Sequence, residues 1–290
     1  MAAISVAVPR KGRPLEAVLD RLATHTGATD LADEVVSTLR YEKAVTKGSQ
    51  SVEQSVYDRL AEYSTGNAEY TLYRDSRAGF PRRIVFDSMT WDLGDHEVHL
   101  VGREEPFRAL RKHEFALGFD SADLVLEEVV GLEPDPLRDI ADVNDRIDPL
   151  DTDVRVVSGL GDTVYHTLLA APSVADGSLD REFVADYTGP VCISPRYERL
   201  VEAVVGTDAL DGVTFTYPGE AVEEEAAIAD AGLGVYVTVS GSTARDHGLV
   251  LGERLFPSET VLLENRHESG PVDDRLKRVL DPVETALPVQ

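Results

Sequence analysis

The sequence has 290 residues, 53 acidic and 28 basic side chains, and a formal net charge of −25. At 42% hydrophobic and 28% charged residues it has the composition of a globular chain and not of a disordered or fibrous one. No run approaches the ~18 consecutive apolar residues of a membrane-spanning helix, and a single cysteine, Cys192, excludes a disulfide framework and a cysteine zinc site.

Ile4-Ser5-Val6-Ala7-Val8 is apolar and β-branched and predicts a first strand, ended by Pro9. Arg10-Lys11-Gly12-Arg13 follows as a turn. Pro14 then stands where a first helical residue would, with Leu15, Val18, Leu19 and Leu22 at helical spacing. Residues 30–63 read as mostly helical, broken at Lys47-Gly48-Ser49. Tyr70 to Arg74 and Arg83 to Phe86 alternate around Ala78-Gly79 and predict a hairpin. Glu97 to Val101 is a strand, Pro106 to His113 a short helix, Phe115 to Phe119 a buried strand, and Asp123 to Val130 a helix. Residues 131–153 are rich in Asp and Pro and read as a surface connection.

Arg155 to Val157 and Val164 to Ala171 are strands joined through Gly159-Leu160-Gly161. Val191 to Ile193 is a short strand, Arg196 to Val205 a helix, Val213 to Tyr217 a strand and Glu220 to Ala229 a helix. Val235 to Val239 is a strand running into Ser240-Gly241-Ser242-Thr243. Thr260 to Leu263 is a last strand and Asp273 to Leu280 a last helix. Strands alternating with helices give an α/β class with largely parallel sheets.

The acidity is spread along the whole chain. Of the basic residues only five are Lys (Lys11, Lys43, Lys47, Lys112, Lys277) and 23 are Arg, and there are three Asn. This bias suits a protein of a salt-loving microbe: in molar salt the Debye length is ~3 Å, so an acidic surface stays soluble without self-repulsion. The expected result is loss of the far-UV circular dichroism on dialysis into low salt; an unchanged spectrum would contradict it. A chain this acidic repels nucleic acid and anionic membrane. The apolar Met1 to Ile4 precedes the basic Arg10-Lys11-Gly12-Arg13, the reverse of a secretory signal, so the expected location is the cytoplasm.

Three loops could carry chemistry. Ser240-Gly241-Ser242-Thr243 follows a strand, and a glycine flanked by hydroxyls lets backbone N–H groups and side chains converge on phosphate; an ordinary capped turn is the alternative. Lys11 and Arg13 lie at a strand's C-terminal end, where open α/β sheets bind ligands, though they could equally form a solvated basic turn. Asp120 and Asp123, around Ser121, could face Mg²⁺ or a ribose hydroxyl, or cap a helix. His96 with His99 lacks a third ligand nearby, Glu223-Glu224-Glu225 reads as a solvated helix face, and Trp91 as a packing residue.

Taken in order, these loops resemble the ATP phosphoribosyltransferase family, which catalyses the first step of histidine biosynthesis. The family's strand and Lys-Gly-Arg turn is similar to residues 4–13. Its Leu-Gly-Ile-Thr-Gly-x-Asp-Leu-Val-x-Glu segment is similar to Leu117-Gly118-Phe119-Asp120-Ser121-Ala122-Asp123-Leu124-Val125-Leu126-Glu127. Its phosphoribosyl-diphosphate loop, Ser-Thr-Gly-Thr-Thr-Leu-Arg-x-Asn-Gly-Leu, is similar to Val239-Ser240-Gly241-Ser242-Thr243-Ala244-Arg245-Asp246-His247-Gly248-Leu249, and its Leu-Ile-Ala-Asn-Arg strand end to Leu262-Leu263-Glu264-Asn265-Arg266. The chain departs from the family at Tyr236, where the family has an Asp near the ribose, and in a longer stretch between Gly12 and Gly118. It also stops soon after Arg266, without the C-terminal regulatory domain of long-form members.

The resemblance implies a two-lobed α/β fold with a central cleft, like type II periplasmic binding proteins. Lobe one would be residues 1–157 with 250–290, carrying an inserted hairpin around 64–100, and lobe two 158–249, with crossings near Gly159-Leu160-Gly161 and Gly248. It implies transfer of phosphoribose from phosphoribosyl diphosphate to ATP or a related acceptor, with Mg²⁺. Ser240, Gly241, Ser242 and Thr243 would hold the 5′-phosphate, Lys11 and Arg13 the diphosphate or nucleotide phosphates, and Asp120 or Asp123 would stand near the second substrate. No protein-held metal and no general base is expected, and a homo-oligomer is left open. The alternative is a non-catalytic paralogue that binds a phosphorylated nucleotide or sugar as a sensor or regulatory subunit.

Overall fold

The structure, a computed structural model, describes residues 3–46, 48–64, 66–73, 82–94, 96–131, 133–175, 177–219 and 222–280. In chain order the elements begin with β1 (Ile4–Pro9), α1 (Arg13–Thr26), α2 (Thr29–Thr46), α3 (Val56–Tyr63), β2 (Ala68–Tyr73), β3 (Arg83–Asp92), β4 (Glu97–Arg103) and α4 (Pro106–Arg111). They continue with β5 (Leu117–Ser121), α5 (Ala122–Val129), α6 (Ala141–Asp145), β6 (Val154–Gly159), β7 (Val164–Ala170), α7 (Arg181–Asp186), β8 (Gly189–Cys192) and α8 (Glu198–Val205). The last are β9 (Val213–Thr216), α9 (Glu224–Ala231), β10 (Leu233–Thr238), α10 (Ser242–Asp246), β11 (Val250–Ser258), β12 (Thr260–Asn265) and α11 (Pro271–Leu280).

These elements form two compact units. Segments 1–120, 153–161 and 260–290 make up unit one, and segments 121–152 and 162–259 unit two. The expected lobes differ from this in three places, because 121–152 and 250–259 pack with unit two and 158–161 with unit one. Segment 250–259 moves for a clear reason: β11 pairs along its length with β7. The chain therefore passes between units at four points and not two. One lies beside Gly161, and Gly248 is a turn inside unit two.

Unit one is built on a sheet with strand order β2-β3-β4-β1-β5-β12-β6. β1 runs parallel to both β4 and β5, so Val6, Ala7 and Val8 are fully buried. That central position explains its unbroken apolar run. α1 starts at Arg13, with Pro14 in its first turn, and buries Leu15, Val18, Leu19 and Leu22; Gly27 ends it in the left-handed conformation, φ 75°. Trp91 is a packing residue, buried with its Nε1–H donated to Thr26 Oγ1 at 3.1 Å. β2 and β3 pair antiparallel, with Tyr73 opposite Arg83, so the hairpin strands are present. The turn at Ala78-Gly79 and the break at Lys47 lie outside the described residues. α3 is fastened to α2 by a buried, two-pronged ion pair: Arg59 donates to the Glu42 carboxylate at 2.7 and 2.9 Å. Tyr63 adds its hydroxyl at 2.9 Å.

Unit two is built on a second sheet, order β11-β7-β10-β8-β9. β8 runs parallel to β9 and β10, whereas β7 is antiparallel to both β10 and β11. Both sheets are thus mixed, and the largely parallel arrangement expected from alternation is corrected. β2–β3, β3–β4 and β12–β6 are antiparallel as well, the first two as consecutive strands and the last between strands far apart in sequence. β6 and β7, consecutive in sequence, fall in different sheets. The Asp- and Pro-rich 131–153 segment is no mere surface connection. It buries Leu137, Val143 and Ile147, and the buried Arg146 guanidinium donates to the carbonyls of Glu133 (2.7 Å) and Asp135 (2.6 Å).

Candidate functional site

The hydroxyl loop lies in unit two, between β10 and the five-residue α10. Gly241 is left-handed, φ 69°, a conformation that L side chains adopt at a cost. Space is also closed to it, since a Cβ there would stand 2.2 Å from Leu251 Cδ2 and 3.3 Å from Arg245 Nη1. Ser240 Oγ lies 3.0 Å from Ser242 Oγ and accepts the Ser242 N–H at 3.3 Å. Arg245 donates to the Ser240 carbonyl at 2.8 Å and fixes the turn from behind. Ser240, Ser242 and Thr243 are exposed, while Gly241 and Ala244 are buried beneath them. The result is a small, exposed, hydroxyl-rich turn resting on the apolar group Leu169, Cys192, Ile228, Ala244 and Leu249. Its donors suit a single phosphate.

Tyr236 packs against that same apolar group. Burial, followed by the charges of Glu224 and Glu225 and a hydrogen bond with Glu224, pushes its hydroxyl up to about 12. The side chain is therefore neutral at pH 7, with a carboxylate beside it. Glu223, on the same glutamate run, pairs with His247 at 3.3 Å.

Lys11 and Arg13 lie in unit one, after β1. Their neighbour Arg10 is committed to the fold, donating to Asp87 at 2.7 Å and to the Phe86 carbonyl at 3.2 Å. Lys11 instead reaches Glu104 at 3.7 Å and sits 5.4 Å from the centre of the Tyr73 ring. Gly12, φ 84°, occupies the N-cap of α1 and offers no capping side chain. Lys11, Gly12 and Arg13 open onto a cavity of about 730 Å³. Arg40, Lys43 and Arg83 also line it, with Leu39, Ile84 and Val85 as an apolar wall. The sequence reading did not include these three cations. A signal was available: Lys43 is one of five lysines, and Arg40 and Lys43 are spaced i, i+3 on one helix face.

Asp120 and Asp123 are both buried and hydrogen-bonded within the fold. Asp120 is 2% exposed and accepts the N–H of Phe107 at 3.0 Å, capping α4, whose own N-cap residue Glu105 makes no side-chain cap bond. Asp123 is 4% exposed and lies at the centre of a polar cluster. It accepts hydrogen bonds from Tyr197 (2.6 Å), Ser258 (2.9 Å), Ser121 and the ring of His166 (3.2 Å). His166 is stacked on Phe256 with ring centres 4.4 Å apart. Burial opposes ionisation of Asp123, but the hydrogen bond and charge of His166, with the hydroxyls of Ser121 and Tyr197, outweigh it. The carboxyl is held well below the usual carboxylate range. All its acceptor capacity is turned inward.

Among the described residues no helix is long and apolar enough to cross a membrane. No group of three or more His, Cys, Asp or Glu could hold a metal ion among them.

No curated protein sequence matches the chain. Among solved structures it is similar to the ATP phosphoribosyl transferase (HisG:HisZ) complex from Thermotoga maritima, at 12% identity and a TM-score of 0.43, covering 96% of this chain and 98% of that one. It is also similar to the arginine-bound form of truncated ArgBP from T. maritima, at 12% identity and TM-score 0.35, covering 68% and 79%. A third is the ancestral amino acid-binding protein AncCDT-1, at 11% identity and TM-score 0.36, covering 63% and 69%. The sequence model described as halobacterial ATP phosphoribosyltransferase matches residues 1–289, and the chain belongs to that family.

Proposed function

We propose that the chain transfers phosphoribose from phosphoribosyl diphosphate to ATP or a related nucleotide, releasing diphosphate. The observation that carries this reading is the family match across the whole chain. The geometry of the Ser240–Thr243 turn is consistent with it. In such a transfer the lone pair of adenine N1 attacks the anomeric carbon, the bond from that carbon to the diphosphate oxygen breaks, and diphosphate leaves with the electron pair. N1 carries no proton, so no general base is required. Positive charge builds on the sugar, and the protein's task is to hold both ligands and neutralise the leaving group.

On this reading Ser240, Ser242 and Thr243 hydrogen-bond the 5′-phosphate, with the Gly241 backbone letting it approach closely. Lys11 and Arg13 balance the charge of diphosphate or of the nucleotide's phosphates. Asp120 and Asp123 hold the scaffold through their buried hydrogen bonds. Mg²⁺ fits best as an ion carried in on diphosphate oxygens, since such sites commonly use substrate phosphates with few protein ligands. We place the reaction in the cytoplasm.

The second reading, a non-catalytic binder of phosphorylated ligands, draws on Tyr236. A neutral phenol there cannot replace a family carboxylate, although Glu224 brings one alongside. One experiment separates the two. With phosphoribosyl diphosphate, ATP and Mg²⁺ in molar potassium chloride, a transferase releases diphosphate and forms a new nucleotide. Thermal stabilisation by phosphoribosyl diphosphate without diphosphate release across a nucleotide panel would establish the binder.

A further inference from the structure

We propose that the cavity at the end of β1 grips the phosphates of a nucleotide with Arg83 and Lys43, alongside Lys11 and Arg13. Arg83 comes from the hairpin within the stretch that lengthens this chain, and Lys43 from α2. The inference rests on reading the chain as one that binds phosphorylated substrates.

Charge balance is the first argument. The chain has 28 basic against 53 acidic side chains, yet among the described residues this cavity is lined by five basic groups (Lys11, Arg13, Arg40, Lys43, Arg83) and two acidic ones (Glu16, Glu42). Both acids are engaged: Glu16 pairs with Arg40 at 2.6 Å, and Glu42 with Arg59 at 2.7 Å, with the Tyr63 hydroxyl donating to it as well. A concave site of this sign, in a protein of the opposite sign, concentrates an anion that the rest of the surface repels.

The second argument is convergence. Arg83 and Lys11 both lie against Tyr73, at 5.6 and 5.4 Å from its ring centre. The ring face attracts each cation, and Glu104, 3.7 Å from Lys11 and felt by Arg83, is the acid beside them, so a polyanionic ligand would compete with a single carboxylate for this pair. Burial lowers the pKa of Arg83, so a ligand anion would also stabilise its charged form. The third is the helix: α1 points its N-terminus at the cavity through Gly12 and Arg13, and its partial positive charge adds to the attraction. Leu39, Ile84 and Val85 supply an apolar wall for a sugar or base, and about 730 Å³ suits a nucleotide.

The test is calorimetric titration of ATP, inorganic tripolyphosphate and adenosine, at the lowest potassium chloride concentration that preserves the wild-type circular dichroism. Arg83→Gln and Lys43→Gln are expected each to weaken ATP and tripolyphosphate about tenfold and to leave adenosine unchanged, while Arg83→Lys keeps most of the affinity. Lys43 is exposed, so its variant remains informative if Arg83→Gln does not fold. Unchanged ATP and tripolyphosphate affinity in both Gln variants overturns the inference, and with product still formed it falls alone. Weakened tripolyphosphate binding in a protein that forms no product supports the cavity and overturns the transferase reading. Wild-type protein that binds neither ATP nor tripolyphosphate overturns both.

Discussion

Asp123→Ala is expected to lower the unfolding free energy by about 3–5 kcal/mol, measured by denaturant titration in molar salt, because it removes one partner from a buried, charged network. Four donors lose their acceptor at once: the hydroxyls of Ser121, Tyr197 and Ser258 and the ring of His166. Ser121, Ser258 and His166 are buried, and the Ser121 and Ser258 hydroxyls, 3.1 Å apart, can satisfy each other only in part. The effect has a pH signature. The folded carboxyl titrates below its ordinary value of 3.8, so the unfolded chain binds the proton more readily than the folded one. Its contribution is therefore complete above about pH 5, and is lost as pH falls through 3.8 towards the folded value. The stability gap between wild type and Asp123→Asn should be widest at pH 7 and shrink below pH 4. Comparing the two proteins cancels the titration of the other acidic residues. A gap that is constant over this range would mean that the carboxylate's charge contributes nothing.

Gly241→Ala is expected to weaken phosphoribosyl diphosphate binding more than tenfold and to abolish turnover, while ATP binding stays within about twofold. A left-handed alanine costs about 1–2 kcal/mol, and its Cβ would sit 2.2 Å from Leu251 Cδ2, so the turn or Leu251 must move. Moving the turn separates Ser240 from Ser242 and loosens the Arg245 grip on the Ser240 carbonyl. Ser242→Ala removes one exposed hydroxyl and leaves the backbone alone, so its loss should be smaller, about tenfold, as for one hydrogen bond to a charged group. Equal affinity in all three proteins, with circular dichroism unchanged, would take this turn out of the function.

The strength of the local signal decided what could be read in advance. β1, α1, β5, β10 and β12 were visible because each carries a run of apolar or β-branched residues or a helical apolar stripe. β11 was missed: its pairing with β7 shifts register twice, and Gly252, Glu253 and Pro257 break the alternation that marks a strand. Gly252 is there because a Cβ would stand 2.2 Å from the Leu179 carbonyl, a neighbour that no local pattern reveals. α7 is a six-residue helix with one buried side chain, capped by Asp180 to the Phe183 N–H at 3.0 Å, too short for periodicity to register.

The sequence by itself determined the α/β class, the exceptional basic turn at Lys11 and Arg13, and the hydroxyl-flanked glycine at 241, because each depends on residue type and near neighbours. Tertiary structure alone decided the fate of the charges. Asp120 and Asp123 look like ligand-facing acids along the chain, and become a helix cap and a buried network hub once β5 and α5 meet partners far away in sequence. Arg40, Lys43 and Arg83 look like ordinary surface cations, and become the lining of one cavity once α2 and β3 close around the first turn. Burial and convergence are properties of long-range contacts, so a charged residue's role is fixed only when the chain has folded around it.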